Sequence, residues 1–402
     1  MLTRRELLAN VTRVAAVAGM AAAMPSSLNG VLAASPDEEL LRKAPRARFW
    51  TSVESAGGDC RICHPGLTGG GGRAHRHEAH LVRCLLCAQN CTIREGQRGR
   101  CRTRINIRGE LRSLVYGRPV AVHVDPIEKK PFYHFLPGAA AYSLATAGCP
   151  LSCKFCQNWE LSQAWPEDLR AIYTPPALVV RSAHARRAPV IAFTYNEPTV
   201  FAEYLIDISR EAKKRGLHPV VVSCGFMNRE PLIEMCRVLA AVKIDLKGFS
   251  ASFYRRVCGA ELTPVLATIK EVARRKVHLE IVNLVVPTLN DSDRMLRELI
   301  AWIAGEVGFD VPVHFTRFHP DYQLLNLPPT PVATLERARE TAMAAGLRYA
   351  YVGNVPDHPG NHTYCPNCKK VVIRRAGFFL TEMHIKDGRC AFCRQKIAGV
   401  WA

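Results

Sequence analysis

Residues 148–159 read GCPLSCKFCQNW and set Cys149, Cys153 and Cys156 in a CxxxCxxC loop. Directly upstream, Tyr142–Thr146 is a short apolar run, so the loop is expected to leave the C-terminal end of a first strand. Three thiolates on one short loop can hold three corners of a four-iron cluster, and the missing fourth ligand leaves one iron open for chemistry. A structural zinc or a ferredoxin-type loop draws on the same residue types.

Beyond this loop, apolar runs at Val190–Tyr195, Val220–Cys224, Ala241–Ile244, Leu279–Val286 and Val311–Thr316 read as further strands. Amphipathic helices fit between them at Thr199–Gly216, Pro264–Lys276, Ser292–Val307 and Pro331–Gly346. In the first, Val200, Phe201, Tyr204, Leu205 and Ile208 share a face, Thr199 is placed to cap it, and Gly216 ends it. Alternating strand and helix with near-continuous apolar strands predicts an α/β fold: a parallel sheet covered by helices, open and doubly wound or curved into a full or partial barrel. Chemistry in such folds gathers at the C-terminal strand ends.

Composition narrows the class further. Nearly half of the 402 residues are hydrophobic, which suits a large globular domain with smaller modules at either end and excludes a disordered chain. The net charge of +19 favours anionic partners: an acidic reductase, a phosphorylated substrate, nucleic acid or a membrane surface. Of sixteen cysteines, thirteen cluster at metal-ligand spacing and only Cys224, Cys236 and Cys258 stand alone, so metal sites are expected rather than a disulfide framework. The three single cysteines are read as small buried hydrophobes.

Two further cysteine sets flank the centre. Cys84, Cys87, Cys91 and Cys101 offer four ligands for a closed site, either zinc or a second iron–sulfur cluster. Cys365, Cys368, Cys390 and Cys393 form two CxxC knuckles separated by 21 residues, a zinc-ribbon or rubredoxin-like pattern with zinc as the expected occupant. The stretch CRICH, Cys60 to His64, matches the pattern to which c-type haem is attached; a further ligand pair or an unoccupied pair are its other readings.

Thr3–Leu7 reads TRREL and precedes an apolar run from Val14 to Met24 and a small-residue stretch at Val31–Ala33. This is the pattern of a twin-arginine export signal, which points to the periplasm, with the cytoplasm as the alternative. The run is about half the roughly 20 residues that a spanning helix needs. The expected organisation is a signal segment at 1–34, a linker with CxxCH at 35–80, a four-cysteine module at 81–140, a catalytic core at 141–356 and a ribbon at 357–402.

With these residues in view, the chain resembles the radical S-adenosylmethionine superfamily, whose open cluster iron chelates the methionine moiety of the cofactor. The resemblance implies a partial (β/α)6-type barrel, a [4Fe-4S] cluster on Cys149, Cys153 and Cys156, and Phe155 beside the last ligand. FTYNEP at Phe193–Pro198 ends the second strand where the superfamily binds the cofactor's amino group, which implicates Asn196 and Glu197. KIDLKG at Lys243–Gly248 resembles a segment of pyruvate formate-lyase activating enzymes and implicates Asp245 and Lys247; His319, in TRFHPDY, matches a histidine near their cofactor. Their fifth-strand arginine has no counterpart, and Asn283 is the candidate substitute.

More specifically, RCLLCAQNC, the long run from Leu114 to Gly138, VVPTLNDS, YVGNVP, HTYCPNC and CRQKIAGVW resemble the radical enzyme of the AmmeMemoRadiSam system across about His80 to Trp401. That resemblance implies reductive cleavage of S-adenosylmethionine to a 5′-deoxyadenosyl radical, followed by hydrogen abstraction from a substrate. It also implies a low-potential electron donor and a protein partner, such as a Memo-like or AMMECR-like protein. The charge and the ribbon keep RNA modification as a rival, and an exported iron–sulfur or haem protein that only relays electrons is another.

Overall fold

The structure, a computed structural model, describes residues 36–52 and 80–401. The signal-like segment and the CRICH stretch lie outside the described residues. One eight-stranded sheet dominates: β1 (Ala121–Pro126), β2 (Ala140–Ala145), β3 (Val190–Phe193), β4 (His218–Ser223), β5 (Ala241–Asp245), β6 (His278–Val285), β7 (Val313–Arg317) and β8 (Ala350–Gly353). Strands β2 to β8 are parallel, and β1 pairs antiparallel along the outer edge of β2.

The strands lie in strict chain order from β1 to β8. This decides between the alternatives left open by the sequence. A doubly wound sheet reverses its strand order to place helices on both faces, whereas right-handed crossovers that never reverse put every helix on one face. The crossovers carry α1 (Pro176–Ala185), α2 (Ala202–Lys214), α3 (Arg229–Val238), α4 (Leu262–Arg274), α5 (Asp293–Glu306) and α6 (Val332–Ala344). The opposite face is left to curve around its own interior, as in a barrel.

Local chemistry explains the elements. β3 reads VIAF and is buried throughout, as a strand covered on both faces must be. α2 buries Leu205, Ile208, Ser209 and Ala212 at helical spacing and carries Lys213 and Lys214 in its last turn, where they complement the helix dipole. Thr199 does not cap α2. A 3-10 turn at Pro198–Phe201 comes first, and it is the Glu197 side chain that accepts from the Thr199 N–H. Two strands of the main sheet went unread in the sequence, β8, a seventh parallel strand, and β1, where Val122, His123 and Val124 are exposed along an edge and show no apolar run; the helices α1 and α3 went unread as well.

The N-terminal boundaries also change. The described part of the expected linker contains a helix, Pro36–Lys43, and a strand, Trp50–Ser52, paired with Val82–Cys84. Residues 121–126 belong to the main sheet rather than to the four-cysteine module. That module shares the main core: Phe49, Val82, Leu86, Ile93 and Leu111 pack in one cluster with Leu144, Phe193 and Leu205. A buried ion pair pins it, with Arg104 Nη1 and Nη2 each 2.6 Å from the two carboxylate oxygens of Glu203 on α2.

At the other end, the segment joining β1 to β2 closes the N-terminal ends of the strands. The backbone N–H groups of Tyr133 and His134 donate to Glu280 of β6 at 3.0 and 2.8 Å. The C-terminal ribbon is fastened to the same segment. Arg375 donates to the Tyr133 carbonyl at 2.9 Å, the Val400 N–H to the His134 carbonyl at 2.8 Å, and the Leu136 N–H to the Val400 carbonyl at 2.8 Å. Among the described residues, no helix is long and apolar enough to cross a membrane.

Candidate active site

The C-terminal strand ends open onto a cavity of about 460 Å³. Cys149, Cys153 and Cys156 all line it, together with Phe155, Asn196, Glu197, Asp245, Lys247 and His319. All of the residues singled out in the central part of the sequence except Asn283 therefore face one space. Alternation along the strands explains why: Lys243, Asp245 and Lys247 project to the interior from the end of β5, as do Val282 and Leu284 of β6. Asn283 lies between the last two and is absent from the cavity wall; its amide donates to the Leu246 carbonyl at 2.7 Å. The expectation that it replaces an arginine at the site is corrected on that ground.

Gly148 sets the start of the cysteine loop. Its φ is +85°, and a Cβ there would lie 2.4 Å from the Cys101 carbonyl oxygen and from Thr103 Cγ2, so only glycine fits. Burial pushes the Cys149 thiol well above its usual pKa, and burial likewise raises Cys156. Cys153 moves the other way, through a hydrogen bond from Cys258 and the nearby Lys247 charge. Thiols this deep ionise readily only with a cation to replace the proton.

The carboxylates differ in availability. Asp245 is gripped by Lys243 and by Lys247 at 3.4 Å; burial raises its pKa, but the two ammonium groups hold it below the usual value. Glu197 is buried and held on both oxygens: Oε1 accepts from the Thr199 N–H at 3.1 Å and the Ser223 hydroxyl at 2.8 Å, and Oε2 from the Cys224 N–H at 2.6 Å. Asn196 has spare capacity. Its amide donates to the Gly148 carbonyl at 2.7 Å, while its Oδ1 is buried with no partner.

A family model described as the radical SAM superfamily matches residues 143–300. An uncharacterised protein of Methanocaldococcus jannaschii is 42% identical over 318 residues, which is 79% of this chain and 95% of the relative. The chain belongs to the radical SAM superfamily. Pyruvate formate-lyase 1-activating enzyme of Escherichia coli is 27% identical over 217 residues, 48% of this chain and 84% of the relative. The (2S)-3-sulfopropanediol sulfolyase activating enzyme of Bilophila wadsworthia is 29% identical over 103 residues, 24% of this chain and 34% of the relative.

Radical SAM membership implies a [4Fe-4S] cluster and S-adenosylmethionine, and the cavity suits both. Three thiols without a fourth on the same loop leave a cluster iron free, and the orphaned Asn196 Oδ1 is a buried acceptor awaiting a donor. The cofactor's ammonium is such a donor.

Several residues at the site escaped the sequence reading. Tyr195, at φ +71°, directs its hydroxyl to Asp125 at 2.9 Å and toward Lys130 at 3.2 Å. The three single cysteines are buried in the main core as expected, and two of them also border the cluster loop: Cys224 lines the cavity and Cys258 hydrogen-bonds Cys153. Lys243 was legible, since it precedes Asp245 by two residues on the same strand face.

The ribbon quartet closes as its spacing predicts. The sulfurs of Cys365, Cys368, Cys390 and Cys393 lie within 4.8 Å of one another. Its two knuckles are equivalent: Lys369 N–H donates to the Cys365 carbonyl at 3.0 Å, and Arg394 N–H to the Cys390 carbonyl at 2.9 Å. Such a set fits one tetrahedral ion, zinc or iron.

Proposed function

We propose that this radical SAM enzyme cleaves S-adenosylmethionine reductively and uses the product to abstract hydrogen from a partner protein. The observation that carries the reading is the meeting of three thiols, the orphaned Asn196 Oδ1 and the Asp245–Lys247 pair in one cavity at the strand ends. Bound there, the cluster and cofactor would supply a 5′-deoxyadenosyl radical.

The chain's own residues would do the rest. Cys149, Cys153 and Cys156 hold the cluster, and Asn196 accepts from the cofactor's ammonium. Lys247 keeps Asp245 ionised and oriented, and Phe155 lies beneath the Lys247 ammonium, 5.7 Å from the ring centroid. Glu197 ties the ends of β3 and β4 and so positions Asn196. His319, exposed at the mouth, is placed to meet whatever enters. A protein substrate is supported by relatives whose names mark them as activating enzymes, and a Memo-like protein is the first partner to test. Zinc in the ribbon and export by the twin-arginine segment are part of the same proposal.

The deciding experiment is anaerobic reconstitution, reduction with dithionite and assay for 5′-deoxyadenosine and methionine. Cys153→Ala abolishes both products. Asn196→Ala keeps the cluster but weakens cofactor binding by about 1–3 kcal/mol, the loss expected for a charge-assisted hydrogen bond. A four-iron protein whose spectrum ignores S-adenosylmethionine, and which releases no 5′-deoxyadenosine, would end the proposal.

A further inference from the structure

The N-terminal quartet sits against the catalytic loop. The Cys101 carbonyl abuts Gly148, the residue before Cys149, so the two cysteine Cα atoms lie within roughly 10 Å. Gln89, inside the quartet, donates to the Pro150 carbonyl at 2.9 Å and to the Gly259 carbonyl at 3.2 Å. Arg100 reaches Ser152 Oγ at 3.3 Å. Three independent contacts thus converge on residues 148–152.

The quartet also has an inside and an outside. Cys84, Cys87 and Cys101 are buried, whereas Cys91 is partly exposed and accepts from the Arg100 N–H at 3.5 Å. Arg94, Arg98 and Arg100 fall in the short segment that links Cys91 to Cys101, and Arg102 follows it; Arg94 and Arg100 are exposed. Sulfur spacing separates this set from the ribbon. Among the described residues only the ribbon's sulfurs gather within 4.8 Å, so the N-terminal four stand wider than the ligands of one tetrahedral ion, whose sulfurs are about 3.8 Å apart.

We propose that Cys84, Cys87, Cys91 and Cys101 hold a second iron–sulfur cluster that passes electrons singly to the catalytic one. An acidic flavin- or iron–sulfur-bearing donor protein docks at the arginines beside Cys91 and is oxidised by one electron. The N-terminal cluster is reduced by that electron and returns to its resting state by giving it up through the Cys101–Gly148 contact. No proton moves and no bond forms. The inference rests on the radical reading, because a relay needs a redox acceptor beyond Gly148.

The test uses the full chain. Cys149→Ala with Cys153→Ala and Cys156→Ala removes the catalytic cluster, and the protein is then expected to keep about four irons and a reduced-cluster paramagnetic resonance signal. Zinc in place of that iron, or no metal beyond the ribbon's, overturns the proposal. In the second arm, Cys84→Ser with Cys87→Ser is assayed with reduced flavodoxin and, separately, with dithionite. The ratio of flavodoxin-driven to dithionite-driven cofactor cleavage is expected to fall tenfold or more. An unchanged ratio refutes the relay while leaving the radical chemistry standing; absence of cleavage by the unmutated chain under dithionite refutes that chemistry instead. If the double variant does not accumulate, the metal content of the triple variant decides alone.

Discussion

Arg104→Met tests how the four-cysteine module is held. Arg104 is 1% exposed and Glu203 5%, and the two form a bidentate pair between module and α2. Removing the guanidinium strands a buried carboxylate, which keeps the Arg48 N–H as a donor at 3.0 Å. Breaking a buried pair on one side costs about 3–5 kcal/mol. At about 2.1 cal/mol/K per residue the chain's unfolding entropy is on the order of 0.8 kcal/mol/K, so the melting temperature should drop by roughly 4–6 °C. Arg104→Met with Glu203→Leu should recover more than half of that, because it removes the stranded charge as well. The pH dependence has a defined sign. Burial raises the Glu203 pKa, but Arg104 more than offsets it and leaves it below the usual value. The pair's stability is therefore present above the unfolded carboxylate's pKa, about 4.3, and is lost as pH falls. Differential scanning calorimetry on the two variants checks this. A single variant within 1 °C of the unmutated chain, or a double variant that simply adds two losses, would refute the reasoning.

Gly148→Ala forces a Cβ into the Cys101 carbonyl at a positive φ, so it should cost more than about 1 kcal/mol and lower the iron bound per chain; full iron content would count against the close contact. Glu280→Gln should destabilise by about 1.5–3 kcal/mol at neutral pH, since Glu280 accepts from Tyr133, His134, His278 and His314. Burial raises the Glu280 pKa, but those partners hold it below the usual carboxylate value, so the unmutated chain's advantage should shrink as pH drops below about 4 in urea titrations. Cys390→Ser with Cys393→Ser should release the ribbon's metal, read by elemental analysis, and leave the central cluster's paramagnetic resonance signal in place.

The parts legible in the sequence were those written in short-range pattern. CxxxCxxC and the paired CxxC knuckles fix ligands within a few residues, and apolar runs located the inner strands because both faces are covered. β1 was hidden by its edge position: Val122, His123 and Val124 face solvent, so no run marks them. The Arg104–Glu203 pair joins positions 99 apart, which no local pattern encodes. Asn283 shows a different failure, since alternation along β6 already set it opposite Val282 and Leu284, and the resemblance overrode the periodicity. Glu197 was read for its charge, whereas its neighbours Thr199, Ser223 and Cys224 claim the carboxylate for tying strand ends.

The fastening of residues 398–400 to His134 spans 264 positions of sequence. During synthesis the segment below the cavity is complete long before the residues that secure it have emerged. Glu280 appears midway, and Val400 only after every parallel strand has been made. Growth of the chain therefore imposes an order of availability: the strands emerge before the residues that fasten the lower end of their interior, and the ribbon closes that end last. The floor of the interior is thus the last part of the sheet to be closed, after the strands that carry the cysteine loop have been made.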